Sequence, residues 1–203
     1  MADAVRLILA SGSAARRRML EAAGLQFEVI PADIDEGSIQ ALMISESDCV
    51  EAADVATVLA QEKALAVARA HPGALVIGSD QILALGRRMI SKAATLAEAR
   101  DTLDHLRGRT HDLVSAVALA HSGAIVWQTS DSAQLTMRRF SDEFLANYLA
   151  RSGEAILRSV GCYEFEGRGV QLFQRVEGDY FTILGMPLLP LLAELRNRGV
   201  VTA

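Results

Sequence analysis

The sequence predicts an α/β fold with a mixed, twisted sheet and flanking helices, and three features predict it. Helix-period and strand-length segments interleave from end to end, which is the pattern of an α/β layer structure rather than of segregated halves. Residues 74–79 (ALVIGS) form a continuous apolar run of the length of a buried strand. Residues 111–120 and 124–137 read as two long strands joined by His121-Ser122-Gly123, so an antiparallel pair must sit beside any parallel one.

The elements follow in order. Residues 6–10 (RLILA) read as a short buried strand, broken by Ser11-Gly12-Ser13 before a helix over 14–23 that Gly24 ends. A strand at 27–30 leads into the acidic turn PADIDE, and residues 48–70 are Ala- and Val-rich at helical spacing until His71-Pro72-Gly73 stops them. The apolar strand then ends at Asp80, and QILALGRRMIS reads as a hairpin turning near Gly86. Thr95 and Glu98 have the spacing of a capping box for a helix ending near Gly108, and Ser141 caps another that runs to about residue 151. GVQLFQRVEGDYFTIL reads as further strand, and Pro187 opens a last helix that Gly199 closes.

Composition narrows the function. The 203 residues can bury a core without staples, and no internal repeat, low-complexity tract or separable linker divides 1–203, so one domain is expected. No apolar run approaches the roughly 20 residues of a membrane span, and the first residues lack a secretory leader, so a cytoplasmic protein with no membrane partner is expected. A net charge of −5 argues against a nucleic-acid partner, though a local cationic pocket would still suit a small anion. Cys49 and Cys162 lie far apart and outside any zinc-type cluster, so they read as thiols.

Arg16, Arg17 and Arg18 crowd the first turn of a helix whose dipole is already positive there. Ser11, Gly12 and Ser13 precede them with hydroxyls and backbone N–H groups that could cradle a phosphate; the plainer alternative is a solvated basic turn. Arg16 shares the inward face with Met19 and Leu20, whereas Arg17 and Arg18 point more outward. Asp80 lies where α/β sheets commonly place ligands, although aspartate also ends strands for ordinary reasons. Lys63, Lys92 and Glu36 are equally compatible with exposed surface when taken singly.

Together, the stretch LILASGSAARRRMLEAAGLQFEVIPADIDE resembles the opening signature of the Maf-like nucleoside triphosphate pyrophosphatases. The resemblance continues, in order, through AQEKALA, IGSDQ, Lys92, GRTHDLVSAVAL, GCYEFEGRG and EGDYFTILGMPL. It implies two lobes around a central cleft, a divalent metal cation (Mg²⁺ or Mn²⁺), a nucleotide substrate and a homodimer. It also implies Asp80 as proton acceptor, Ser11, Ser13, Arg16, Lys63 and Lys92 as substrate-binding groups, and Glu36 with Asp80 as metal ligands. The reaction implied is hydrolysis of the alpha–beta phosphoanhydride to a nucleoside monophosphate and pyrophosphate.

Three positions implied to set the base are Ala15, Gln81 and Glu166. Gln81 and Glu166 resemble the branch that acts on 7-methyl-GTP, and a carboxylate can accept from both donors of a guanine edge. Ala15 stands where that branch usually has an aromatic. Two further departures are Ser91-Lys92-Ala93 in place of Gly-Lys-Pro and a longer segment between Glu36 and Gln61. The alternatives are a dTTP/UTP pyrophosphatase of the same family and a non-catalytic nucleotide-binding regulator of cell division.

Overall fold

A computed structural model describes residues 5–46 and 49–202. Its centre is a seven-stranded mixed sheet in the order β2-β1-β3-β5-β6-β7, with β4 paired to β3 off that path. β1 (Arg6–Leu9) runs parallel to both β2 (Glu28–Val29) and β3 (Ala74–Leu85). β3 is antiparallel to β4 (Arg88–Ile90) and to β5 (Thr110–His121); β5 pairs antiparallel with β6 (Ala124–Met137), and β6 with β7 (Phe173–Glu177).

Alternation along the central strands divides the core between the faces. On one face Ile8, Val76, Ala116 and Ala118 receive Val55, Leu59, Ala60, Ala64 and Val67 from α3 (Ala52–Ala70). On the other, Leu9, Leu75, Ile77 and Leu119 receive Met19 and Leu20 from α1 (Ala14–Ala22), and Leu188, Leu191 and Leu195 from α7 (Leu188–Asn197). A third cluster joins Leu83, Leu113, Leu135 and Met137 to Leu103 and Leu106 of α4 (Leu96–Leu106) and to Leu145 and Tyr148 of α5 (Asp142–Ser152).

Gly78 sets the closeness of α3 to the sheet. A Cβ there would stand 2.1 Å from the Ala60 carbonyl oxygen and 2.6 Å from the Ala64 nitrogen, so only glycine lets the helix backbone lie this near β3.

Four sequence expectations are corrected. Asp80 does not open the end of a strand: β3 continues to Leu85, and Asp80 pairs in register with Ala116 of β5. The strand survives a central aspartate because the carboxylate is neutralised by a lysine from α3. Glu36, expected to close an acidic turn at DIDE, instead opens α2 (Glu36–Glu46), where the preceding Asp35 accepts from the Ser38 N–H and the Glu36 carboxylate complements the helix dipole. The helix expected from residue 48 starts at Ala52 instead, where Glu51 and Asp54 cap it; Asp48 itself lies outside the described residues.

The run read as strand over GVQLFQRVEGDYFTIL is strand only at Phe173–Glu177. Before it the chain makes a 3-10 turn over Arg168–Leu172, and after it Asp179 accepts from the N–H groups of Phe181 and Thr182 to cap the one-turn helix α6 (Tyr180–Ile183). The cap holds the β-branched and aromatic run in a helical turn that its strand propensity does not favour. Among the described residues no helix is long and apolar enough to cross a membrane.

Candidate functional site

The loop from β1 to α1 begins the site. Ser13 is the N-cap of α1, its hydroxyl accepting from the Arg16 N–H, while Ser11 Oγ accepts from the Ser13 N–H at 3.3 Å. The loop is therefore pinned with its N–H groups gathered at the helix start, where the dipole favours an anion. The three arginines that follow part company. Arg16 turns inward and is 8% exposed, donating through Nη1 to Ser11 Oγ at 3.1 Å and through Nε to the Gly185 carbonyl at 2.8 Å. Arg17 bonds Glu21 on the outer face, and Arg18 reaches Glu166.

Burial pushes the Arg16 guanidinium down from its ordinary pKa, and the negative charges of Asp80 and Glu36 oppose that shift. Those carboxylates meet on one lysine. Lys63 Nζ lies 2.6 Å from Asp80 Oδ1 and 2.7 Å from Glu36 Oε1. Glu36 is half-exposed: burial raises its pKa, yet the Lys63 hydrogen bond and the charges of Lys63, Lys92 and Arg16 outweigh this and hold the carboxyl below its usual range. Three elements thus place these groups: α3 brings Lys63 over the sheet, β3 presents Asp80, and the first turn of α2 presents Glu36.

Gln81 follows Asp80 and meets different partners. Its Nε2 donates to Ser115 Oγ and to the carbonyls of Thr182 and Ile183, each at 3.1 Å. Lys92 lies just beyond β4 with its side chain exposed. Glu166 lies in the turn after Phe165, with Oε2 accepting from Arg18 Nη2 at 2.9 Å.

All ten residues to which the family resemblance gives a role border one cleft of about 820 Å³: Ser11, Ser13, Ala15 and Arg16 from the loop and α1, Glu36 and Lys63 from the helices, Asp80 and Gln81 from β3, then Lys92 and Glu166. This volume falls within the range of small-molecule sites. The walls also include groups that residue type alone did not mark. Gly185, with φ +106°, accepts from both Arg16 Nε and Ser79 Oγ through its carbonyl. A Cβ at Gly185 would lie 3.5 Å from Nε and Nη2 of Arg16. Tyr163, Phe165 and Arg158 complete the side that carries Glu166. The only advance signal for Gly185 is its place in EGDYFTILGMPL, because a backbone carbonyl leaves no signature of its own.

Among the described residues no group of three or more His, Cys, Asp or Glu side chains could hold a metal ion by itself. Glu36 and Asp80, brought together on Lys63, supply two carboxylates. That donor set suits Mg²⁺, which is usually held by one or two carboxylates together with substrate phosphates and water.

Comparison with known proteins agrees along the whole chain. Residues 6–198 match the family model described as Maf-like protein. The chain is 50% identical over 198 residues to a nucleoside triphosphate pyrophosphatase of Granulibacter bethesdensis, covering 98% of this chain and 100% of the relative. It is 51% identical over 195 residues to a protein of the same name from Bradyrhizobium diazoefficiens, covering 96% and 95% respectively. It is 48% identical over 196 residues to a 7-methyl-GTP pyrophosphatase of Rhizobium etli, covering 97% and 98%. The chain belongs to the Maf-like family.

Proposed function

We propose that the chain is a nucleoside triphosphate pyrophosphatase, a hydrolase that splits the alpha–beta phosphoanhydride to release a nucleoside monophosphate and pyrophosphate. The names of its relatives support the reaction class. The observation that carries the residue roles is the convergence of Arg16, Lys63 and Lys92 around Asp80 and Glu36 in one cleft.

The chemistry suits this arrangement. Ser11, Ser13 and the start of α1 receive phosphate oxygens, and Arg16, fixed by Ser11 and Gly185, meets them as a preorganised fork. Lys63 and Lys92 add point charges where negative charge spreads during cleavage. Asp80 is held through Oδ1 by Lys63 and has a second oxygen with which to orient the attacking water and take its proton. Glu36 and Asp80 would hold a Mg²⁺ or Mn²⁺ ion, which when bound neutralises phosphate charge and lowers the pKa of coordinated water.

The base reading is 7-methyl-GTP or a related modified nucleotide. Glu166 offers acceptors to a guanine edge, while Gln81 is committed to the carbonyls of α6 and acts by shaping the wall. At Ala15 the cleft has no ring for stacking; the aromatic side chains that line it among the described residues are Tyr163 and Phe165. A homodimer belongs to the same family-based reading, and a cytoplasmic location is inferred from the composition of the sequence.

A panel of 7-methyl-GTP, GTP, dTTP and UTP with Mg²⁺ and product identification tests it. Monophosphate plus pyrophosphate, with guanine nucleotides preferred, is expected. Diphosphate plus orthophosphate would mean a different bond is cut. Preference for dTTP or UTP would place the chain in the pyrimidine branch, and binding without turnover would make it a nucleotide sensor.

A further inference from the structure

Arg18 Nη2 donates to Glu166 Oε2 at 2.9 Å, joining α1 to the turn after Phe165 across 148 residues of sequence. The two side chains are 59% and 34% exposed, so the pair contributes little to holding the fold together. Both nevertheless border the cleft, as does Ala15, one helical turn before Arg18. The pair therefore acts chiefly on whatever lies against Glu166.

We infer that Arg18 is a specificity-determining residue: by pairing with Glu166 it neutralises that carboxylate and weakens discrimination between cationic 7-methylguanine and neutral guanine. The inference rests on the guanine reading given above. A carboxylate offers about four lone-pair sites on its two oxygens. Arg18 takes one on Oε2, and the others remain able to accept from the ring N–H and exocyclic amine of guanine. Those hydrogen bonds are available to both bases. An unpaired carboxylate would also attract the positive charge of the methylated ring, an attraction that neutral guanine lacks. A guanidinium on the same carboxylate cancels most of that difference. Ala15, having nothing beyond Cβ, neither stacks on the ring nor shields it from Arg18.

The test compares kcat/KM for 7-methyl-GTP and GTP, with UTP as reference, in the unsubstituted protein and in Arg18→Ala, Arg18→Gln, Arg18→Lys and Glu166→Gln. Both neutral Arg18 variants should raise the ratio of 7-methyl-GTP to GTP by about threefold or more, the size expected of an exposed charge pair, through KM rather than kcat. Arg18→Lys should restore the original ratio. Added salt should shrink the gain, and combining Arg18→Ala with Glu166→Gln should remove it. An unchanged ratio in both neutral variants overturns the inference. So does an equal loss on all three nucleotides, which would make Arg18 a phosphate contact. If the unsubstituted protein prefers UTP to both guanine nucleotides, the guanine reading itself falls, a result read without any variant.

Discussion

Lys63 Nζ on α3 donates to Asp80 Oδ1 on β3 at 2.6 Å, and both side chains are less than a tenth exposed. A buried ion pair is costly to break from one side, because the remaining charge keeps its desolvation penalty without compensation. Lys63→Met should therefore destabilise the fold by about 3 kcal/mol, read from urea unfolding. Combining it with Asp80→Asn should recover most of that loss without restoring turnover; additive losses would mean that the two side chains are not coupled.

Asp80→Asn alone should cost some stability yet leave the structure folded, since the amide oxygen can still accept from Lys63 and Glu36 still pairs with the lysine charge. Pyrophosphate release should fall by about 10²–10⁴-fold, the usual worth of a general base. Near-normal turnover would remove Asp80 from the reaction.

Arg16→Lys tests the fork. A lysine cannot donate to Gly185 and Ser11 in the planar geometry that the guanidinium uses. The expected result is a KM raised by about tenfold or more, equivalent to losing one charged hydrogen bond. Unchanged KM for every nucleotide would show that Arg16 serves only to fasten Gly185.

Gly78→Ala should damage stability and activity together. The new methyl would enter the backbone of α3 at Ala60 and Ala64, and overpacking of this kind costs about 1–3 kcal/mol or more. Because α3 also carries Lys63, the displacement should separate Lys63 from Asp80. Retention of both the melting temperature and kcat would contradict the close packing.

His111 gives a pH prediction. It is fully buried, its Nε2 lies 2.8 Å from the Tyr163 hydroxyl, and its Nδ1 has no hydrogen-bond partner among the described residues; burial pushes its pKa down to about 4. Above the unfolded value near 6.5 both states are neutral. As pH falls from there towards 4, the unfolded chain takes up a proton that the folded one refuses. Stability is thus lost over that window, by at most about 3 kcal/mol. Urea midpoints at pH 7.5 and 4.5 should converge more closely for His111→Gln than for the unsubstituted protein. An equal drop in both would assign the acid sensitivity to other groups.

Local chemistry made most of this protein legible in the sequence. The apolar run at 74–79, the Thr95 and Ser141 caps, the helix stops at Gly24 and Gly199 and the turn at Gly86 each act within a few residues, and the structure places elements beside them. The crowding of Arg16, Arg17 and Arg18 at a positive helix end was a local conflict that left an anion site and a solvated basic turn both open. The misreadings arose where distant partners decide. Asp80 could remain inside a strand only because Lys63 arrives from α3, and the strand-like sequence around Thr182 turns helical on the Asp179 cap while its carbonyl receives Gln81 and Ser115. Helical spacing already turned Arg16 inward and Arg17 and Arg18 outward, but the partners of Arg16 and Arg18, Gly185 and Glu166, lie 169 and 148 residues away and have no local signature. Periodicity and capping are short-range properties that one stretch of chain can encode, whereas the charge balance of a cleft belongs to all the elements that close around it.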